Sequence, residues 1–212
     1  RQDLPHILCV NPWIHDFAAY DVWAKPLGLL SIAAALRRSG FSVSYIDCLD
    51  RFHPREKPAD PHARGGRGPY RKTRIPKPDC LSDVPRHFSR YGIDPQWFCE
   101  DLAFAGKPDL VLVTSLMTYW YTGVRETIEV IRGMYPDVPV VLGGIYATLW
   151  PAHAKTAVGA DEIVTGPAET HIFDMVARYT GVRKDPAFDP QDMDTLPYPA
   201  ADLQHRIGYV PC

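Results

Sequence analysis

Chemistry in this chain would have to come from a few short segments. Gly143-Gly144 follows an apolar run, and paired glycines let a ligand come close to the backbone. The same pair could equally make a tight turn from a strand into a helix. Thr114-Ser115-Leu116-Met117-Thr118 closes another apolar run. Its hydroxyls can hydrogen-bond a buried polar edge, Leu116 and Met117 offer apolar contact, and Tyr119-Trp120-Tyr121 supplies aromatic walls. A strand end that caps the next helix would have the same composition. Asn11-Pro12-Trp13 and Gly28 flank a third loop.

Other chemistries find less support. No G-x-G-x-x-G follows the first apolar run, which disfavours a dinucleotide fold, and there is no G-x-x-x-x-G-K-[ST]. The five cysteines are Cys9, Cys48, Cys80, Cys99 and Cys212. No two have metal-knuckle or redox-pair spacing, and the odd number reads as free thiols in a reducing cytoplasm. C-x-x-x-C-x-x-C, whose three thiolates hold an iron–sulfur cluster, is absent.

The elements that must position these segments repeat β-α five times. Strands are expected at Ile7–Val10, Ser42–Asp47, Asp109–Thr114, Val138–Leu142 and Glu162–Thr165. Helices are expected at Pro26–Ser39, Asp94–Ala105, near Thr122–Met134, near Ala152–Val158 and near Glu169–Tyr179. Continuous apolar strands call for a parallel sheet covered on both faces. The expectation is a flavodoxin-like (Rossmann-like) α/β three-layer sandwich with a five-stranded parallel sheet in the order 2-1-3-4-5. Ligands of such sheets bind outside the carboxyl ends of the strands, at the switch point, where all three segments above fall.

Residues 51–105 interrupt the alternation. Arg51 to Pro78 carries nine Lys or Arg, six Pro and no hydrophobic period, and reads as a solvated basic insertion after the second strand. It covers the cleft or docks on another domain; RNA or phosphate binding is the less favoured use. After residue 180 the chain turns polar and Pro-rich, with no core face of its own, and reads as a linker over 181–212 anchored by Phe188, Leu196 or Tyr198. The whole chain of 212 residues has 46% hydrophobic residues and a net charge of -2. That balance excludes wholesale disorder and gives no global reason to bind nucleic acid or an anionic membrane. No stretch is long and apolar enough to span a membrane, and with Arg1-Gln2-Asp3 running into a strand-like segment no signal peptide is expected.

Taken in order, ILCVNP at 7–12, KPLGLLSIAAALRRSGFSVSYIDC at 25–48, KPDLVLVTSLMTYWY at 107–121, VPVVLGGIYAT at 138–148 and GADEIVTG at 159–166 resemble one family. It is the N-terminal cobalamin (vitamin B12)-binding domain of cobalamin-dependent radical SAM proteins. The likeness covers most of residues 6–180 outside the basic insertion. It implies a cobalamin tail threaded between the sheet and its flanking loops, lined by Thr114–Thr118 with Tyr119 and by Gly143, Gly144, Ile145 and Tyr146. Asn11, Pro12, Trp13 and Gly28 would complete the site. The family's G-E-G-E-like stretch reads Gly166-Pro167-Ala168-Glu169 here, so Gly166 and Glu169 match.

A related cobalamin fold carries D-x-H-x-x-G after its first strand, and that histidine ligates cobalt. Here the loop reads N-P-W-I-H-D-F, with His15, while a literal match occurs at Asp60–Gly65, with His62, inside the insertion. The expectation is that neither histidine binds cobalt. The resemblance implies a C-terminal radical SAM domain with a [4Fe-4S] cluster and S-adenosylmethionine, beginning just beyond a Tyr-Val-Pro-like segment such as Tyr209-Val210-Pro211. On this reading the chain alone is not an enzyme, and cobalamin serves methyl transfer or radical chemistry by the other domain. Two rival readings remain: a non-catalytic cobalamin sensor or carrier, and an unrelated flavodoxin-like domain for a small molecule or nucleotide.

Overall fold

Each central strand is apolar on both faces, and both faces are covered. In the computed structural model, which describes residues 4–169, 171–189 and 192–205, β1 (His6–Asn11) sends Ile7 and Cys9 into one core and Leu8 and Val10 into the other. The chain continues through β2 (Ile14–Asp16), β3 (Tyr20–Asp21), α1 (Leu27–Arg38) and β4 (Ser42–Asp47). The insertion supplies β5 (Gly68–Pro69), β6 (Lys72–Arg74), β7 (Ser89–Tyr91) and α2 (Pro95–Ala105). Then follow β8 (Leu110–Val113), α3 (Tyr121–Met134), β9 (Val140–Leu142), α4 (Ile145–Leu149), α5 (Pro151–Ala157), β10 (Glu162–Ile163) and α6 (Ile172–Thr180).

The main sheet runs β4-β1-β8-β9-β10, every pair parallel. Numbered among its own five strands, the order is 2-1-3-4-5, so the fold is the flavodoxin-like (Rossmann-like) α/β sandwich. Leu110, Leu112 and Val141 join Ile7 and Cys9 beneath α1 and α6. Val111, Val113, Val140 and Leu142 join Leu8 and Val10 beneath α2, α3 and α5. A parallel sheet needs this double cover because neither face can meet water. Truncating a fully buried strand residue such as Leu110 to Ala would cost about 2–5 kcal/mol.

Helix ends follow local chemistry. Pro26 precedes the first residue of α1, where its missing N–H costs nothing, and Gly40 stops the helix at φ +81. The Asp94 carboxylate accepts from the Gln96 N–H, Pro95 opens α2, and Gly106 leaves it at φ 79. Gly123 of α3 has another purpose: a Cβ there would sit 2.9 Å from the Trp13 carbonyl carbon. Its absence lets α3 press on the loop after β1. Trp13 is fixed in that contact, its indole N–H donating to the Ile93 carbonyl at 2.9 Å.

The insertion differs from the featureless loop expected of it. β2, β7 and β6 form a small antiparallel sheet, and β3 pairs with β5. A separate small core of Ile14, Leu49, Tyr70 and Tyr91 lies beneath them. Strands of two or three residues bury two side chains at most, and β6 none, too few to set a period. The insertion's cations act as fasteners. Arg51 Nε donates to Asp21 Oδ2 at 3.0 Å and its Nη2 to the Gly66 carbonyl at 2.9 Å. Arg90 donates to Glu126 at 2.6 Å, with its guanidinium 5.4 Å over the Trp13 ring.

The segment after α6 has the core face that its sequence did not suggest. Phe188 and Ala200 are buried on the α1/α6 side, with Leu196 and Leu203 packed beside them. The Ala200 N–H donates to the Leu30 carbonyl at 3.1 Å, and Arg37 holds Asp202 at 2.8 Å. Tyr198 is 94% exposed and anchors nothing. Arg1–Asp3 and Tyr209–Cys212 lie outside the described residues. Among the described residues no helix is long and apolar enough to cross a membrane.

Candidate ligand-binding site

At the carboxyl ends of β1 and β8, where the strand order reverses, lies a cavity of about 1150 Å³. Its floor is the strand ends: Asn11, Thr114, Ser115 and Gly144. Its roof comes from a strap at 17–25 and from the insertion, with Phe17, Tyr20, Trp23, Tyr70 and Tyr91 facing in. Ordinary small-molecule pockets are about 300–1,000 Å³, so this one suits a larger ligand. A second cavity of about 180 Å³ lies between the ends of β8 and β9 and helices α1 and α6, lined by Gly143, Gly166, Glu169, Ile172 and Met175. Gly28, Thr114 and Gly144 border both, so the two spaces adjoin.

The two glycines after β9 do different work. Gly144 has φ +97, and a Cβ there would lie 2.7 Å from the Ser115 backbone nitrogen and closer still to its carbonyl oxygen. Its role is the close approach of two loops. Ser115 clasps them: its Oγ donates to the Gly143 carbonyl at 2.7 Å, and its carbonyl accepts from the Ile145 N–H at 2.8 Å. At Gly143 and Gly28, by contrast, a Cβ would meet nothing within 4 Å. The open space beside these two is the cavity itself.

A charged cluster sits at the ends of β1 and β4. Asp47 Oδ1 accepts from Asn11 Nδ2 at 2.7 Å and from the Leu49 N–H at 2.9 Å, and Lys25 Nζ stands 3.9 Å from Oδ2. Burial pushes the Asp47 carboxyl up; the Lys25 ammonium and the two donors only partly offset it. On the far side, Asp16 Oδ2 accepts from the Trp120 indole at 2.7 Å, which turns that ring against the cavity wall.

Asn11, Pro12, Trp13, Gly28, Thr114, Ser115, Leu116, Tyr119, Gly144 and Ile145 line the larger space, and Gly143, Gly166 and Glu169 the smaller. Met117 and Thr118 line neither: Met117 is half-exposed, and Thr118 opens a single helical turn. Tyr146 points the other way. It is fully buried, its hydroxyl 2.7 Å from His153 Nδ1, and burial pushes that hydroxyl up to about 12. Neither histidine reaches a cavity. His15 is buried 2.7 Å from Glu126 Oε2, and His62 is exposed, with its N–H on Asp60. Burial would raise Glu126, but His15 and Arg90 overcome it and hold the carboxyl below its usual range.

The sequence reading allowed the insertion as a cover for the cleft, but it missed the strap at 17–25 with Lys25. A signal was present: Phe17-Ala-Ala-Tyr20 and Val22-Trp23-Ala24 make an aromatic, apolar stretch ill suited to a solvent loop. Trp23 also holds φ 66, an uncommon conformation for a bulky residue, with its indole N–H on the Gly65 carbonyl at 2.8 Å.

Residues 98–173 match the family model of the B12 binding domain. That stretch holds the loop after β8, the Gly143-Gly144 turn and the loop after β10, which together line the smaller cavity. Among solved structures the chain is similar to a novel cobalamin-binding protein from Desulfitobacterium hafniense DCB-2, at 14% identity and a TM-score of 0.44. The similarity covers 84% of this chain and 59% of the length of that one. No curated protein matches the chain.

Proposed function

We propose that the chain binds cobalamin at the carboxyl ends of its sheet strands, as the N-terminal domain of a cobalamin-dependent radical SAM protein. The observation that carries the first half is the pair of adjoining cavities, one large and one narrow, with Gly28 and Gly143 opening onto them. A broad ring with a slender tail needs that shape. The match of residues 98–173 to the B12 binding domain supports the same reading.

In this reading the narrow slot takes the tail. Gly28, Gly143 and Gly166 let it lie against bare backbone, and Thr114 offers a hydroxyl where the two spaces meet. Aromatic residues of the strap and insertion shield the ring from water, and the Ser115 clasp keeps the two floor loops in register. Bound cobalamin would supply cobalt chemistry, either methyl transfer or radical steps, and the protein would supply binding and orientation. No histidine among the described residues lines either cavity.

The radical SAM half rests on the ordered sequence segments at 7–12, 25–48, 107–121, 138–148 and 159–166. Two experiments test the two halves. The chain is mixed with hydroxocobalamin, desalted, and its absorbance recorded: near-stoichiometric corrin bands are expected, and a colourless protein overturns cobalamin binding. Reading the coding sequence beyond residue 212 tests the other half. A C-x-x-x-C-x-x-C motif there supports it, and a sequence without one overturns it.

A further inference from the structure

We propose that Lys25 reads the bound cofactor: its ammonium, held at the cavity edge by Asp47, donates to an oxygen acceptor on the ligand. The inference rests on the cobalamin reading above. Lys25 lines the larger cavity, yet its side chain is only 7% exposed. Lysine is rarely buried so far unless it is paired. Its nearest carboxylate oxygen is 3.9 Å away, longer than a hydrogen bond. Asp47 meanwhile takes its short hydrogen bonds from Asn11 and Leu49. Among the described residues Lys25 Nζ donates no hydrogen bond, although an ammonium has three protons to give. A buried cation with unused donors, beside an otherwise largely apolar and aromatic space, is suited to an oxygen acceptor.

The other cations lining the cavity are of a different kind. Lys72 and Arg86 are exposed, on the insertion side. Lys25 ends the strap, three residues before Gly28, which borders both cavities, and its ammonium reaches Asp47 at the end of β4. Cobalamin presents two kinds of oxygen that an ammonium could meet: amide carbonyls around the ring and the phosphodiester of the tail. The shared chemistry is charge-assisted donation to oxygen, about 10- to 100-fold in affinity for one such bond.

The competing role for Lys25 is to neutralise Asp47 and nothing more. Lys25→Met removes the charge at similar length, but it leaves a buried carboxylate without its cation, so the melting temperature is expected to fall. The double variant Lys25→Met/Asp47→Asn removes both charges and keeps an acceptor for Asn11. Absorbance titration with hydroxocobalamin is expected to show affinity about 10- to 100-fold weaker in both variants, with stability recovered in the double. Repeating the titration with cobinamide, which lacks the phosphodiester and base, separates the sources. A loss shared by both corrins assigns the ring amides, and a loss confined to cobalamin assigns the phosphodiester. A double variant that binds as tightly as wild type overturns the proposal while leaving the cobalamin reading intact. A wild-type chain that binds no corrin overturns both.

Discussion

Gly143 and Gly144 are neighbours on one turn, and the structure gives replacements at them opposite consequences. At Gly143 a new Cβ meets nothing within 4 Å, and the residue borders the cavity of about 180 Å³. The first carbon of a Gly143→Leu side chain therefore displaces no protein atom. Its effect on the free protein is expected within about 0.5 kcal/mol, apart from a small gain from a stiffer unfolded chain. Gly143 lines the narrow slot, and the prediction is that the side chain occupies it. Forcing a ligand into space already filled costs about 1–3 kcal/mol, which is about 5- to 150-fold in dissociation constant. At Gly144 the order is reversed. The φ of +97 disfavours any L side chain by about 1–2 kcal/mol, and a Cβ would drive into the Ser115 backbone. Gly144→Ala should first lose stability, at about 2–4 °C of melting temperature per kcal/mol for a chain of this size.

The assay is a pair of measurements on each variant: a thermal melt without ligand and an absorbance titration with hydroxocobalamin. Gly143→Leu should melt like wild type and bind poorly. Gly144→Ala should melt early, and what stays folded should bind. If Gly143→Leu binds as tightly as wild type, the slot takes no part of the ligand and the site reasoning fails. If Gly144→Ala is as stable as wild type, the clasp between the two floor loops does not constrain the fold.

Gly28→Ala adds a methyl to α1 where nothing is within 4 Å, so helix propensity should raise stability by up to about 1 kcal/mol while corrin affinity falls; a lowered melting temperature would count against the open cradle there. Paramagnetic resonance of the reduced cobalt form should show no nitrogen superhyperfine splitting from an axial imidazole, unchanged in His15→Ala and His62→Ala, because both rings lie away from the cavities. Splitting that disappeared in either variant would refute this. The hydrogen bond that the His205 ring donates to the Asp50 carboxylate raises the His205 pKa above its ordinary 6.5, with partial burial opposing. A raised folded value means the contact that pins residue 205 to the loop after β4 is strongest below 6.5 and is lost as pH rises through the folded pKa. Hydrogen exchange at 200–205, corrected for intrinsic rates, should therefore be slower at about pH 5.5 than at about pH 8.5, and His205→Ala should abolish the difference.

What the sequence made legible was set by local physics. β1, β8 and β9 are apolar runs bounded by turn residues, β4 alternates apolar and polar side chains, and Pro26, Gly40, Asp94 and Gly106 mark helix ends by their own backbone preferences. Repeating β-α units with apolar strands leave few topologies, and the observed order β4-β1-β8-β9-β10 is the one expected. The insertion was opaque for a physical reason as well. β5, β6 and β7 have two or three residues each, and Tyr70 and Tyr91 become a core only when β7 meets β2 from the other side of the sequence. No window along the chain contains that pairing. In the segment after α6, single apolar residues such as Phe188 and Ala200 are buried against α1 and α6 with no period of their own.

The candidate site shows the same division one level finer. Residue type located the right loops, because small residues at strand ends are where a sheet can accept a ligand. It could not say which member of a pair faces the ligand. Gly144 is a glycine because Ser115 presses on it, and Gly143 is not so constrained. Tyr146 sits at the helical spacing that turns it away from the cavity and into the other core, toward His153. Lys25 reads as the approach to a helix until Asp47 closes over it. The roof needs two distant segments at once. Asp21 is buried with Arg51, the Trp23 indole bonds to the Gly65 carbonyl, and Tyr20-Asp21 pairs with Gly68-Pro69. Neither strap nor insertion has a core alone, so the aromatic wall over the strand ends depends on the buried pair of Asp21 and Arg51. Removing one partner of such a pair leaves the other charge without compensation, which ties the shape of the ligand space to a contact outside the floor.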